Sequence, residues 1–206
     1  MVVTADTNAR ARYHHGDLQK GLIEASIALI EEQGAEGFTL REVARRAGVS
    51  HTAPYRHFAD KQALLAAVAQ DGFENLAEKM RTAAARSREP LGKMKKSGVA
   101  YVEFALEHAA HFRVMFGTVL DRNVYPESIA DETFAEQMAL IEACQEAGVI
   151  TKGQSARQLA RVLWALIHGI AELAASGQYS LPSHAAVNRL AGSAIDSLLG
   201  GIATTK

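Results

Sequence analysis

Apolar residues recur along almost the whole chain at three- and four-residue steps, the spacing of helices that each bury one face. Leu18, Leu22, Ala25 and Leu29, broadened by Ile23, Ile27 and Ile30, predict a helix from about Asp17 to Gln33, with Gly34 as its stop. Thr39 followed three residues later by Glu42 is a capping-box signature for a short second helix, whose inner face is Leu40, Val43, Ala44 and Ala47. Gly48 and Val49 supply a turn, and Ser50 is placed to cap a third helix over roughly His51–His57. Asp60 opens a longer fourth helix with Leu64, Leu65, Val68, Leu76 and Met80 facing inward.

The charged stretch RTAAARSREP, ending at Pro90, then breaks the pattern and marks a boundary between domains. Beyond it the spacing predicts helices over about Leu91–Ala109, His111–Gly117, Pro126–Ala147, Ala156–Ser176 and His184–Leu199, with a loop through Asp121–Tyr125 and a stop at Gly148. No sustained alternation rich in β-branched residues interrupts this series. The expected fold is all-α with about nine helices. It divides into an N-terminal arm (1–15), a three-helix helix-turn-helix unit (16–62), a connecting helix (63–89) and a helical body (90–206).

At 206 residues, with 48% hydrophobic and 22% charged residues, the chain is long and apolar enough to bury a substantial core. The longest apolar candidate for a membrane span, Leu159–Ala175, is interrupted by Arg161, His168 and Glu172, and no membrane partner is expected. The start of the chain has no apolar stretch of the secretory kind. The single cysteine, Cys144, excludes an internal disulfide and fits a reducing cytoplasm, and Glu142 and Glu146 beside it disfavour a thiolate. Net charge is −1, yet from Thr39 to Lys61 five cations face two anions, a local charge of +3, with His51 and His57 in addition. Nucleic-acid binding depends on such clustering and not on the total.

Two short capped helices around a tight glycine turn form the unit that places its second helix in a DNA major groove. On that reading helix 51–57 presents His51, Thr52, Ala53, Tyr55, Arg56 and His57 outward; the bland alternative is a three-helix packing unit with a solvated basic face. The stretches TLREVARRAGVS and YRHFADK resemble the N-terminal domain of the TetR/AcrR family of bacterial transcriptional regulators, over about residues 17–65 without a gap. RYHHGD, together with Trp164, His168 and Gly169, resembles the subgroup named for the Trp, His and Gly of its C-terminal region. The resemblance implies phosphate contacts from Tyr55 and Lys61, with Thr39 also positioned for one, and base reading from Ser50, His51, Thr52 and Ala53. A helix N-terminus beside an ammonium suits an anion. Phe58 is assigned to the core. Arg45 and Arg46 either approach the DNA backbone or are solvated charges, and Arg10 and Arg12 are either a minor-groove arm or a free tail. No operator sequence follows, because none of the base-reading positions is an arginine or glutamine.

The resemblance further implies a homodimer built by the last two helices, since one helix-turn-helix makes few contacts. Leu163, Leu166, Ile167 and Ile170, with Leu190, Ile195 and Leu198, supply apolar surface for it or fill the protomer's own core. The middle helices are expected to enclose a pocket for an unidentified small, largely apolar effector. Its candidate lining is Tyr101, Phe104, Met115, Phe116, Phe134, Met138, Trp164 and His168, although aromatics and methionines at helical spacing also make ordinary core. The implied function is a sequence-specific regulator, a repressor released from operator DNA by its ligand; the alternative is a ligand-independent architectural DNA-binding protein.

Eight histidines raise a metal site, but only His108 and His111, with Glu107, cluster, and no third and fourth ligand stands at a zinc spacing. No metal and no cofactor is expected. Catalysis is not expected either: the chain has no G-x-S-x-G elbow, phosphate-cradling glycine loop or H-E-x-x-H, and Asp131, Glu132 and Glu136 read as a solvated helix face.

Overall fold

Thr39 accepts a hydrogen bond from the backbone N–H of Glu42, and the Glu42 carboxylate accepts one from the N–H of Thr39 at 2.8 Å. This reciprocal cap starts a seven-residue helix by satisfying donors that would otherwise be orphaned. Similar local chemistry repeats along the computed structural model, which describes residues 15–179 and 183–201. The helices are α1 (His15–Gln33), α2 (Leu40–Arg46), α3 (Lys61–Ala85), α4 (Pro90–Glu107), α5 (Ala109–Phe116), α6 (Glu127–Glu146), α7 (Ala156–Ala175) and α8 (His184–Gly200). Asp60, Ser155 and Ser183 cap α3, α7 and α8 through their side chains. The arm with Arg10 and Arg12 lies outside the described residues.

The all-α architecture is as expected, with eight α-helices among the described residues in place of about nine. The missing one is the expected helix over His51–His57. Only a 3₁₀ turn forms there, Pro54–Arg56, and the chain closes on itself by Ala53 N–H to Ser50 O and His57 N–H to Pro54 O. Pro54 has no N–H to reach back to Ser50, so the first α-type bond of such a helix cannot be made. Ser50 accordingly spends its hydroxyl on Thr52 Oγ1, 3.2 Å away, and not on a helix cap.

α3 is the longest element and packs against α1, α4, α5 and α6. Its buried residues fall on two rows of four-residue steps, Leu64–Val68–Gly72–Leu76–Met80 and Leu65–Ala69–Phe73–Ala77. A helix turns 3.6 residues per revolution, so each four-residue step rotates the row by about 40° and the whole row by about 160°. The first turns of α3 therefore bury against the N-terminal unit and its later turns against the body. Each fully buried Leu, Phe or Met contributes about 1.5–3 kcal/mol to holding this arrangement. α4 carries the second half of the core. It packs on α3, α7 and α8, and it approaches α8 so closely that a Cβ at Gly98 would stand 2.7 Å from Ile195 Cδ1.

The turn after α2 passes through Gly48 at φ +69°, a left-handed conformation with open space around the missing Cβ. A side chain there meets no neighbour and is disfavoured by backbone sterics alone. Gly48→Ala is expected to lower unfolding stability by about 1–2 kcal/mol, read as a lower urea midpoint at unchanged slope.

Candidate nucleic-acid interface and ligand cavity

In the N-terminal unit, Leu22, Leu29, Ile30, Phe38, Val43, Phe58, Leu64 and Leu65 form a closed core, with Phe58 buried as assigned. Around it Thr39, Arg41, Arg45, Ser50, His51, Thr52, Tyr55 and Arg56 are exposed and His57 is half-buried. Tyr55 is 53% exposed, unusual for an aromatic with nothing to cover it. Ala53 departs from its expected role: at 9% exposure its methyl group packs inward and offers nothing to a groove. Arg46 is also committed elsewhere, holding Glu32 through two bonds of 2.6 Å. Among the described residues Arg41, Arg45 and Arg56 lie beyond ion-pair distance of any carboxylate, so their charge stays available.

Lys61 is positioned by the fold. Its ammonium donates to the carbonyls of Glu36 and Phe38 at 2.8 and 2.9 Å and lies 4.4 Å from the Phe38 ring centre. Partial burial draws its pKa below the ordinary lysine value, opposed by Glu36 and Glu42. Two of its three donors thus brace the loop entering α2, and one remains. Beside it Gln62 clamps the body: its Nε2 donates to Val119 O at 3.0 Å and its Oε1 accepts from Asp121 N–H at 2.8 Å.

The body encloses a cavity of about 470 Å³, bounded by α3, α4, α5, α6, α7 and the loop at Leu120–Tyr125. Of the eight lining candidates it brings six together: Tyr101, Met115, Phe116, Phe134, Trp164 and His168. Phe104 does not join them; it is fully buried and packs on His108, ring centres 4.8 Å apart, at a second groove between α3 and α4. Met138 is absent from the wall as well; it is half-buried and packs against the core. The sequence pattern did not point to Phe73, Arg122, Arg157 or Arg161 as lining residues, and it read Leu76 and Met80 only as inward-facing and Asp131 as part of a solvated helix face. A signal was present: Arg157, Arg161, Trp164 and His168 repeat at steps of four, three and four on one face of α7.

Inside the cavity the Tyr101 hydroxyl and His168 Nδ1 are 2.8 Å apart, and Trp164 stacks on the imidazole at 5.1 Å. Burial raises the Tyr101 pKa and lowers that of His168, so both are neutral at pH 7 and the hydroxyl donates to Nδ1. On α5, His111 Nε2 meets Asp71 at 2.9 Å, and desolvation with the neighbouring His111 lowers the pKa of His108. No group of three or more metal-ligating side chains gathers among the described residues. Nor is any described helix long and apolar enough to cross a membrane. Burial raises the pKa of the Cys144 thiol.

On the outer face of α7 and α8, the candidate contact residues divide. Leu163, Ile167, Ile170 and Ile195 are at most 6% exposed and belong to the protomer's own core. Leu166 and Leu198 are half-buried and Leu190 is exposed. The apolar surface left facing outward is Val162, Leu166 and Leu173 on α7 with Leu190 and Leu198 on α8.

The family model described as bacterial regulatory proteins, tetR family, matches residues 22–68, and that described as tetracyclin repressor-like, C-terminal domain, matches residues 94–198. The chain belongs to the TetR family. Its N-terminal segment is 45% identical over 49 residues to the class A tetracycline repressor of transposon 1721 from Escherichia coli, a match spanning 24% of this chain and 23% of that repressor. A protein of unknown function from Rhodococcus sp. RHA1 is similar along its whole length, with 32% identity, a TM-score of 0.80 and coverage of 95% of this chain and 100% of that one. The TetR-family transcriptional regulator PfmR from Thermus thermophilus shares the fold at 17% identity, with a TM-score of 0.69 and coverage of 87% and 97%.

The neutral histidine in this TetR-family body makes stability depend on pH. Its folded pKa lies below the ordinary 6.5, so the unfolded chain binds the proton first; the stabilisation is complete above 6.5 and is lost as pH falls below it. His108 acts in the same direction. Thermal midpoints taken from pH 7.5 down to 5 are expected to fall, and to fall less steeply in His168→Gln.

Proposed function

We infer that this chain is a sequence-specific transcriptional repressor that binds operator DNA as a homodimer and leaves it when a small, largely apolar ligand occupies the body cavity. The observation that carries the reading is the Gln62 clamp. Gln62 stands in the first turn of α3, directly after the lysine that braces the helix-turn-helix, and it holds Val119 and Asp121 on either side of the cavity-lining Leu120. A ligand that displaces the 119–122 loop therefore displaces the root of the DNA-reading unit. It does so only to the extent that it prefers the displaced conformation.

The reading assigns DNA contact to Thr39, Arg45, Ser50, His51, Thr52, Tyr55, Arg56 and His57, with Arg41 added because it is exposed and unpaired, and the remaining Lys61 donor to a phosphate. The functional division runs as a 1–15 arm, a 16–62 DNA-binding unit, a 63–89 connector and a 90–206 body for ligand and partner, working in the cytoplasm. Trp164, His168 and Gly169 support the Trp-His-Gly subgroup. The dimer face is the outward stripe through Val162, Leu166, Leu190 and Leu198. A Leu166→Asp/Leu190→Asp variant is expected to shift light-scattering mass to that of a monomer while keeping its helical circular dichroism, because neither residue is fully buried in the protomer.

The test of the whole reading is binding to a fluorescent duplex carrying the DNA beside the protein's own gene, titrated across salt concentrations. Binding is expected to be selective over scrambled DNA and to weaken steeply with salt. Tyr55→Phe removes one hydroxyl from an exposed side chain and should weaken binding by about tenfold, the worth of one hydrogen bond to a charged group. Gln62→Leu should retain binding and lose ligand-induced release. Equal, weak binding of all duplexes by wild type and Tyr55→Phe would overturn the reading; tight binding without any ligand response would favour an architectural protein.

A further inference from the structure

We propose that the ligand of the α3–α7 cavity is an amphipathic anion, an apolar body that carries a carboxylate head. The proposal rests on the cavity being the effector site and concerns what that site selects. Its deep wall is apolar, built by Phe73, Leu76, Met80, Met115, Phe134 and Ile167. Its charged lining is unbalanced: Arg122, Arg157 and Arg161 face a single acid, Asp131. None of these four makes an ion pair among the described residues, whereas Arg46, Arg81, Lys79 and Lys95 each hold a carboxylate elsewhere on the surface.

The placement of two of the arginines sharpens the point. Arg157 is in the first turn of α7, two residues after its cap Ser155, and Arg161 is one turn further on. The positive end of a helix favours anions and repels cations. The unpaired Arg157 guanidinium therefore stands where an anion is favoured, and α7 carries no acid of its own in that turn. From that end the same helix face runs Arg157, Arg161, Trp164, His168 into the cavity, from charge to aromatic surface. The Tyr101–His168 pair at its inner end is neutral, so the arginines are the charge-selecting groups. A planar guanidinium fork matches a carboxylate with two parallel hydrogen bonds, and a neighbouring apolar wall strengthens them by excluding water.

The test uses three ligands with one tail: decanoate, decan-1-ol and decyltrimethylammonium, each below its micelle concentration. Trp164 is the only tryptophan in the chain and lines the cavity, so its emission reports occupancy at this site. Decanoate is expected to bind the full-length protein at least about tenfold more tightly than the alcohol, and the ammonium more weakly than either. Arg157→Gln/Arg161→Gln should bring decanoate to within about twofold of the alcohol measured on the same variant, with helical circular dichroism kept, since both arginines are exposed. If the alcohol matches decanoate, or if the double variant keeps the preference, the anion proposal is overturned while the cavity remains a ligand site. If none of the three changes the emission, the proposal and the effector-site reading fall together.

Discussion

The architecture depends on α3 being one unbroken rod. A helix whose buried rows rotate by about 160° along its length is obliged to satisfy two cores that lie on different sides of it. Leu64, Leu65 and Val68 are fully buried at one end and Leu76 and Met80 at the other, so the N-terminal unit and the body cannot be moved independently without bending or rotating this element. Close packing makes such an element shift between discrete arrangements and not deform smoothly. In the proposed mechanism this is the route by which a push on the later turns, where Phe73, Leu76 and Met80 form cavity wall, reaches the turn holding Lys61 and Gln62.

Polar chemistry sets where that rod is anchored. At its start, Asp60 caps the helix, Lys61 ties it to the loop before α2 and Gln62 ties it to the loop after α5, three consecutive residues with three different partners. In its middle, Asp71 meets the buried His111 of α5. Further along, Lys79 reaches Glu107 at the end of α4, and Arg81 reaches Glu136 on α6. The outer bonds are exposed to solvent and contribute little to stability individually. Their value is in orientation: they fix which way the rotating apolar rows face.

Much of this can be read from the residues. The Thr39–Glu42 cap, the Gly48 turn and the 3.6-residue spacing locate the helices of the N-terminal unit because each rests on local backbone chemistry. The His51–His57 segment departs from expectation for an equally local reason, since a proline can open a helix but cannot supply its returning N–H. The division of α7 is beyond sequence. Leu159, Leu163, Ile167 and Ile170 form one apolar stripe and Val162, Leu166 and Leu173 another, and periodicity alone cannot say which is covered by the same protomer. The cavity arginines are hidden by the same ambiguity, because a charged residue on an amphipathic helix looks alike whether it borders bulk water or a concave wall.

The lone thiol gives the molecule a useful silence. Cys144 is wholly enclosed within its protomer and burial keeps it protonated, so it is a poor nucleophile toward alkylating probes in the folded state. A cysteine introduced at an exposed site such as His51 would then be the single reactive sulfur per subunit. In the proposed homodimer, two spin labels placed that way, one on each subunit, form a molecular ruler for the spacing of the two N-terminal units, without first removing a native cysteine.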